Sequence, residues 1–422
     1  MNNFFDIVVI GAGPAGLMSA DRASEKGAKV LLLEKMEKPA RKLRISGKGR
    51  CNITNTKNEE EFLRNVFPDS GFFKPAFKNF SNIDLVNFLN KTGLKTVEER
   101  GGRIFPASQN AWDVANAMVK ATEKKAQIEC NAKVVSLEMD TDSGLIKGLS
   151  YEKSGKKINI NARAFIIATG GISYPATGST GDGYRWSQQS GHRIIAPRPS
   201  LTGLELEDYE EIKNVSLKNV ELSLIIDGGT AQTEFGELEF TKYGITGPTV
   251  LKISRNAVDA ILDGKQAEIR INFKPALSEE QIRNRIGREI ASLGNGQTPD
   301  LVRRLLPSAL VAPFIGKIKI SPKKYVRELK SIDTDNLITG LTSLKYKVSG
   351  FRPFEEAIVT AGGVDLKEIN SKTMRSKLVK NLFFAGEIMN LDANTGGYNL
   401  QIAFSTGYLA GQQAAEFCKE LK

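Results

Sequence analysis

FDIVVIGAGPAGLMSADRASEKGAKVLLLE, at residues 5–34, is the stretch that determines the fold of this chain. The apolar runs Phe5–Ile10 and Val30–Leu33 are typical of buried strands. A glycine-rich turn with G-x-G-x-x-G spacing and a helical pattern lie between them, and Gly27 stands where it can end the helix. The order strand, turn, helix, strand predicts a dinucleotide-binding unit.

Each conserved position type of that unit has a physical task. Gly11 permits the tight turn, Gly13 lets the backbone approach a pyrophosphate, and Gly16 lets helix and strand pack closely. The helix N-terminus offers N–H groups and the positive end of the helix dipole to phosphates. Glu34 ends the second strand, where a carboxylate can accept hydrogen bonds from ribose hydroxyls.

Length and composition set the class of protein. The chain has 422 residues, 41% of them apolar, which predicts two or three domains with full-sized cores. The net charge of +11 indicates attraction to anions, and a basic surface with an anionic cofactor explains it more simply than a nucleic-acid partner. Cys51, Cys130 and Cys418 are too far apart in sequence to suggest a disulfide framework, and we expect no metal site.

The location of the protein is also an expectation. No apolar run is long enough to span a membrane, and the first strand begins almost at once, without a charged leader. Reduced cysteines suit the cytoplasm. We therefore expect a cytoplasmic protein with no membrane partner, whereas the sequence leaves the oligomeric state open.

The pattern along the chain predicts an α/β domain with an insertion. Residues 148–160 alternate as part of a hairpin, Ala164–Ala168 reads as a separate buried strand, and Asp227-Gly228-Gly229 predicts a hairpin turn. Ser278 and Asp335 are expected to cap helices. The predicted parts are a first FAD-domain segment at 1–195, a β-rich insert at 196–277 and 344–355, a helical subdomain at 278–343, and a second FAD-domain segment at 356–422.

The end of the chain favours FAD over NAD(P). An apolar strand, Asn381–Gly386, runs into Glu387, and a long helix begins after Gly397. FAD is long enough to use two helix N-termini, one at the pyrophosphate and one at the ribitol and pyrimidine edge of the flavin. A simple NAD dehydrogenase has no use for the second one.

Five blocks carry a more specific resemblance, and they span nearly the whole chain: IGAGPAGL, KLRISGKGRCNITN, ATGGISYPATGSTGDGY, GELEFTKYGITGP and AGEIMNLDANTGGYNLQIAFSTG. In this order they resemble a bacterial FAD-dependent flavoprotein family of aminoacetone-oxidase type, whose relatives include a bile-acid steroid reductase. The resemblance implies a Rossmann-like, glutathione-reductase-type FAD domain with an inserted β-rich, barrel-like domain and a small helical subdomain. It does not identify the substrate.

The same resemblance implies a set of FAD-binding residues along the whole length of the cofactor. The ADP half is assigned to Gly11, Ala12, Gly13, Pro14, Ala15, Gly16, Glu34, Lys35, Arg41, Lys42 and, by analogy with related folds, Val134 at the adenine. The flavin half is assigned to Ser46, Gly47, Arg50, Cys51, Asn52, Thr54, Ala168, Thr169, Gly170, Gly386, Glu387, Asp392, Gly396, Gly397, Tyr398, Asn399 and Leu400.

Candidates for catalysis are weaker. Cys51 lies in a basic loop that would lower its pKa, although packing beside the flavin is the simpler interpretation. Tyr174, Asp182 and Tyr398 are candidates to line a substrate pocket. His192, the only histidine, is expected to be structural because nothing nearby in sequence completes a catalytic set.

We therefore predict an FAD-dependent oxidoreductase whose flavin accepts hydride or electrons from a small-molecule substrate or from NAD(P)H. The sequence does not separate an oxidase from a reductase. No second strand–GxGxxG–helix unit is apparent, so NAD(P)H would act as a transient reductant.

Two alternatives remain open. A flavin-dependent RNA-modifying enzyme is suggested by the basic stretch Arg303–Lys330, in which Glu328 is the only acid. A non-catalytic flavoprotein that senses redox state or binds a partner is the other.

Overall fold

The structure is a computed structural model that describes residues 4–140, 143–212 and 215–421. It divides into two compact units, Met1–Arg198 with Ile358–Lys422, and Pro199–Ala357. The fold class predicted from sequence is confirmed. The finer division into residues 196–277, 278–343 and 344–355 stays a proposal.

The strands follow one another along the chain in twenty segments of the described residues. They are β1 (Phe4–Ile10), β2 (Val30–Leu33), β3 (Thr54–Asn55), β4 (Val66–Phe67), β5 (Thr96–Glu99), β6 (Arg103–Pro106), β7 (Gln127–Glu129), β8 (Lys133–Met139), β9 (Ile146–Lys153), β10 (Lys156–Ile167), β11 (Ile194–Ser200), β12 (Leu204–Leu206), β13 (Val215–Ile226), β14 (Gly229–Phe240), β15 (Gly244–Thr246), β16 (Ala267–Asn272), β17 (Leu344–Phe351), β18 (Val359–Val364), β19 (Leu382–Phe384) and β20 (Asp392–Ala393).

The helices are given in the same way. They are α1 (Pro14–Glu25), α2 (Arg41–Ile45), α3 (Glu59–Leu63), α4 (Ser70–Asn79), α5 (Asn82–Lys91), α6 (Ala111–Glu123), α7 (Asp182–Gln189), α8 (Pro248–Leu262), α9 (Glu279–Leu293), α10 (Thr298–Leu305), α11 (Val311–Ile318), α12 (Ser331–Ser343) and α13 (Tyr398–Glu420).

A seven-stranded sheet organises the first unit, in the order β7-β2-β1-β10-β9-β8, with β19 also paired to β10. β1 pairs in parallel with β2 and β10, so Val9 faces Leu32 on one side and Ile166 on the other. Because helices cover such a sheet on both faces, its central strands are buried runs rather than alternating ones. Ligands of open α/β sheets bind outside the carboxyl ends of these strands.

One sequence prediction about this sheet is wrong. The hairpin strand and the buried run Ala164–Ala168 are not separate, because β10 runs without a break from Lys156 to Ile167. Its first half pairs antiparallel with β9, and its second half lies between β1 and β19 in parallel. The strand therefore changes from an alternating to a fully buried pattern where its neighbours change.

The second unit contains a closed barrel of six strands, in the order β12-β15-β14-β13-β16-β17. The predicted turn at Asp227-Gly228 is confirmed, since β13 and β14 pair across it and both turn residues have positive φ, +47° and +83°. The predicted cap is also confirmed at Ser278, which accepts from the N–H of Gln281.

The expected cap at Asp335 is wrong, because α12 begins one turn earlier, at Ser331. Asp333 takes the capping role there and accepts from the N–H of Lys330 at 2.8 Å. Several polar residues precede the apolar part of α12, so the sequence alone does not select among them.

Candidate functional site

The glycine turn between β1 and α1 has the geometry that its spacing predicts. A Cβ at Gly16 would lie 1.8 Å from the carbonyl oxygen of Gly11, and Gly11 itself has φ +99°. By contrast, a Cβ at Gly13 would meet no atom of the protein within 4 Å. Two of the three glycines therefore serve packing and backbone conformation, whereas the third keeps open a space that a ligand can enter.

Glu34 ties the end of β2 to this turn. Its carboxylate accepts hydrogen bonds from the N–H of Ala12 and the N–H of Met36, both at 2.9 Å. Burial raises the pKa of Glu34 above its ordinary value, although the two backbone hydrogen bonds oppose the shift. Each carboxylate oxygen has a second lone pair, so Glu34 can still accept from ribose hydroxyls.

α1 and α13 pack in parallel at very close range. A Cβ at Gly407 would lie 2.4 Å from the carbonyl oxygen of Ala15, and a Cβ at Gly411 would lie 2.3 Å from that of Ser19. The hydroxyl of Ser19 donates to the carbonyl of Gly407 at 2.9 Å. Small residues on α13 thus set the distance between the two helices.

This packing places two helix N-termini at the same end of the unit. Neither α1, which starts after Gly13, nor α13, which starts after Gly397, has a side chain capping its first turn. The pairing of Ala15 with Gly407 displaces the start of α13 by eight residues along the shared direction. At a rise of ~1.5 Å per residue, that is about 12 Å. The two N-termini are therefore spaced along an extended ligand rather than around one phosphate.

A single elongated cavity of the first unit runs past these features. Its volume is about 1410 Å³ including the part open to solvent, above the ~300–1,000 Å³ of ordinary small-ligand pockets. Of the residues assigned from sequence, it is lined by Gly11, Gly13, Pro14, Ala15, Glu34, Lys35, Arg41, Lys42, Ser46, Val134, Ala168, Thr169, Gly170, Gly386, Glu387, Asn399 and Leu400.

An ion pair closes one side of the cavity. Lys42 Nζ lies 2.9 Å from Glu387 Oε2, and it also donates to Ser173 Oγ at 2.5 Å. Glu387 Oε1 accepts from the hydroxyl of Ser173 and from the N–H of Thr360, both at 2.8 Å. The network joins α2, the loop after β10, β18 and the turn after β19.

A second ion pair lies in the same cavity, nearer to Glu34 in the chain. Lys35 Nζ lies 2.8 Å from Asp182 Oδ2 at the first residue of α7. Burial alone would raise the pKa of Asp182, but the hydrogen bond and charge of Lys35 hold it below its ordinary value. Asp182 is thus an anion engaged by a lysine, which argues against its predicted place in a substrate pocket.

The loop from Ser46 to Asn55 lies against the start of α13. With its amide oriented to satisfy both partners, Asn52 accepts from the N–H of Gly397 and donates to the carbonyl of Thr54, each at 3.1 Å. The hydroxyl of Thr54 donates to Gln401 Oε1 at 2.7 Å. Asn52 and Thr54 therefore position the start of α13 rather than line the cavity.

Other assigned residues also lie outside the cavity lining. They are Ala12 and Gly16 in the first turn, Gly47, Arg50 and Cys51 in the basic loop, and Asp392, Gly396, Gly397 and Tyr398 near the start of α13. The guanidinium of Arg50 pairs with Glu99 and lies over the ring of Phe105 at 4.4 Å. These positions shape the backbone around the cavity, and their assignment to FAD stays a prediction.

The weak catalytic candidates lack the surroundings of reactive groups. Burial raises the pKa of Cys51 to about 12, which disfavours the thiolate. Burial, with the charge of Glu61, likewise raises the pKa of Tyr398 to about 12, and its ring packs on Phe62 at 4.7 Å. Tyr174 has a left-handed backbone, φ +51°, and its carbonyl accepts from Thr177.

His192 has the structural setting that its sequence position predicts. It is buried, its Nε2 lies 2.7 Å from Ser376 Oγ, and its ring meets Phe384 edge-on. Burial lowers the pKa of His192 below its ordinary value, so the ring is neutral near pH 7.

Sequence reasoning missed part of the cavity wall. The missed residues include Lys38, Gly178, Ser179, Gly181, Trp186, Ile358 and Val359. The glycine-rich stretch after β10 carried a usable signal, because it follows a central strand at its carboxyl end. The apolar pair at the start of β18 reads like any core strand, and no pattern marks it as a ligand contact.

Two absences concern the part of the chain that the structure describes. It contains no group of three or more His, Cys, Asp or Glu side chains able to hold a metal ion. None of its helices has the length and apolar character needed to cross a membrane.

Comparison with known proteins gives full-length matches. The family described as "HI0933-like protein Rossmann domain" matches residues 5–413. A 3-dehydro-bile acid delta(4,6)-reductase from Clostridium scindens is 28% identical over 97% of this chain and 99% of its own length. A ribosomal RNA dihydrouridine synthase from Escherichia coli is 30% identical over 97% of each chain.

Among solved structures, the fold is similar to that of a 3-ketosteroid-delta4-(5alpha)-dehydrogenase from Rhodococcus jostii RHA1. The TM-score is 0.53 at 15% identity, and the match covers 98% of this chain and 97% of the other. At this identity the likeness concerns the fold alone.

Proposed function

The chain belongs to the HI0933-like family of FAD-binding Rossmann proteins, and we propose that it is a reductase of carbon–carbon double bonds conjugated to a carbonyl group. Its membership places it among FAD-dependent oxidoreductases. The observation that carries the proposal is the single cavity spanned by two displaced helix N-termini, in a chain that matches both reductive relatives over their full length.

The two relatives are named for different substrates, but the reactions share one chemistry. A delta(4,6)-reductase acting on a 3-dehydro bile acid saturates double bonds conjugated to a ring ketone. A dihydrouridine synthase saturates the C5–C6 bond of uracil, which is conjugated to the C4 carbonyl. In each case one hydride and one proton add across an electron-poor double bond.

The residues of the cavity fit FAD. The space at Gly13 admits a pyrophosphate to the first turn of α1, and Lys38 and Arg41 line the cavity where its negative charge would be balanced. Glu34 would accept from the adenosine ribose. The N-terminus of α13 would stabilise negative charge about 12 Å further along, at the flavin end.

When bound, FAD would take a hydride from NAD(P)H and deliver it to the electron-poor carbon, while a proton completes the saturated bond. The chain's own residues bind and orient. The Lys42–Glu387 network holds four segments around the cavity, and the Asn52–Gly397 hydrogen bond keeps the N-terminus of α13 directed toward it.

The use of NAD(P)H as a transient reductant is part of the proposal. The described residues contain no second strand–glycine turn–helix unit, and Gly294-Asn295-Gly296 merely joins α9 to α10. A nicotinamide would therefore meet the cofactor at an open face. The resemblance to aminoacetone-oxidase-type proteins would instead suggest an oxidase, but the two full-length relatives favour reduction.

For the substrate, we propose uridine in RNA. The net charge of +11 suits a polyanion better than a bile acid, and the dihydrouridine synthase is the more identical of the two full-length relatives named above.

Substrate assays with matched probes test this proposal. The FAD-loaded protein is incubated with NADPH and ribosomal RNA transcribed in vitro, and in parallel with a 3-oxo-Δ4 steroid. We expect nucleoside mass spectrometry to show uridines that have gained two hydrogens. Reduction of the steroid alone would overturn the RNA assignment, and reduction of neither would overturn the reductase.

A further inference from the structure

We propose that a basic and aromatic surface of the first unit, the Trp112 patch, binds the RNA strand. We define the patch by Lys38, Arg44, Lys48, Arg50, Arg100, Arg103 and Trp112. The inference rests on the proposed RNA substrate and adds where the protein holds it.

The patch is continuous around the N-terminus of α6. Arg44 lies over the ring of Trp112 at 4.4 Å, and Lys38 lies over it at 5.8 Å. Arg50 donates to Gln109, just before α6 begins, and both Arg50 and Arg103 lie over the ring of Phe105. Arg103 Nε donates to the carbonyl of Arg100 at 3.1 Å. The cations are thus held side by side by aromatic rings and backbone.

Most of these charges are not neutralised within the protein. Arg44, Arg100 and Arg103 have no carboxylate partner among the described residues, and Arg44 bonds instead to the amide of Asn116 at 2.8 Å. Arg50 pairs with Glu99, and Asp113 stands in the first turn of α6, so two acids face five or more cations. The surplus positive charge suits phosphates.

Aromatic surface is exposed beside the charge. Trp112 keeps 46% of its area exposed, although arginine covers one face. Ile45, on the neighbouring end of α2, is 50% exposed. Single-stranded RNA is recognised by stacking of bases on aromatic rings and arginine planes next to cations that contact the backbone.

The basic stretch singled out in the sequence, Arg303–Lys330, is a poorer candidate. Arg303 pairs with Asp300 at 2.8 Å, Arg304 with Glu289 at 2.9 Å, and Lys324 with Asp333 at 2.6 Å. Its charge is partly cancelled by acids from other positions, which the linear sequence does not show.

The patch also adjoins the cofactor cavity. Lys38 belongs to the cavity lining, and so do Arg41 and Ser46 on either side of Arg44 in the chain. An RNA strand bound on the patch would therefore lie next to the cavity in which FAD is proposed to bind.

The test is binding of a fluorescein-labelled 12-mer oligouridylate to the FAD-loaded protein, by anisotropy across a range of KCl concentrations. The patch variant is Lys48→Gln/Arg100→Gln/Arg103→Gln. The matched control removes the same charge elsewhere, Arg303→Gln/Arg304→Gln/Lys323→Gln. Flavin content checks that each variant is folded.

We expect the patch variant to bind about 100-fold more weakly at 0.1 M KCl and its salt slope to fall by about 2, from ~0.7 per lost phosphate contact on a single strand. The control should stay within a few-fold of the original protein. Trp112→Ala should bind about tenfold more weakly with an unchanged salt slope, because stacking is not an ionic contact.

Equal losses in the patch and control variants would overturn the proposal, as would failure of the original protein to bind the oligonucleotide. If the steroid is reduced while RNA is not bound, the patch and the RNA substrate fall together and the reductase stands. If uridines are reduced but the patch variant binds normally, only the patch falls.

Discussion

The carbonyl oxygen of Ala15 lies against the Cα of Gly407, so closely that a Cβ there would be 2.4 Å from that oxygen. This contact sets α1 and α13 side by side and brings both helix N-termini to one cavity. The first glycine turn and the last helix of the chain, almost 400 residues apart, therefore form one site.

Replacing Gly407 with alanine tests that contact. Helix propensity alone would stabilise the variant by about 1 kcal/mol, since alanine favours a helix interior. The clash with backbone that cannot move aside should outweigh this gain. We expect a lower unfolding temperature and FAD affinity at least tenfold weaker, measured by calorimetry and fluorescence titration.

Gly287→Ala provides the matched control. Gly287 lies inside α9, and a Cβ there would meet nothing within 4 Å. This variant should be slightly more stable and bind FAD normally. Equal behaviour of the two variants would contradict the steric account of Gly407.

Gly13 separates ligand binding from folding. Its backbone is extended, φ −78°, and a Cβ would meet no protein atom within 4 Å. Gly13→Ala should leave the unfolding temperature of the apoprotein unchanged, because nothing in the fold opposes the methyl group. FAD affinity should fall tenfold or more, as the methyl group takes the space of the pyrophosphate. Unchanged affinity would show that the phosphates bind elsewhere.

The Lys42–Glu387 pair should contribute measurably to stability. Its side chains are 26% and 21% exposed, and Ser173 and Thr360 complete the network. A double-mutant cycle with Lys42→Met and Glu387→Gln should give a coupling energy of about 1 kcal/mol, at the upper end for partly exposed pairs. The fully solvated pair Arg64–Glu60, with side chains 72% and 77% exposed, should give less than half of that. A coupling near zero for the first pair would exclude its proposed structural role.

His192 makes stability depend on pH in a defined direction. Burial lowers its pKa below the ordinary value of 6.5, so below pH 6.5 the unfolded chain takes up a proton that the folded chain resists. The free energy of unfolding should therefore decrease as the pH falls from 6.5, and this site adds no pH dependence above it. Since the chain has one histidine, its ring signal in a ¹⁵N-correlated NMR titration reports the site directly. A pKa at or above 6.5 would contradict the assignment.

The sequence predicted the cofactor half of the site well and the protein's own surface poorly. Gly11, Gly13 and Glu34 follow from short-range spacing, because strand, turn and helix form one local unit. The α1–α13 contact, the continuous β10 and the Trp112 patch arise from tertiary packing between distant segments. The cancellation of Arg303 and Arg304 by acids from Asp300 and Glu289 shows the same limit, since a run of charge does not reveal its spatial partners.

The most direct test of the central claim is an anaerobic titration of the FAD-loaded protein, followed by visible absorption. NADPH or NADH should bleach the bound flavin, and uridine-containing RNA added without oxygen should restore its colour. Failure to take up FAD, or reduced flavin that only oxygen restores, would contradict a reductase of conjugated double bonds.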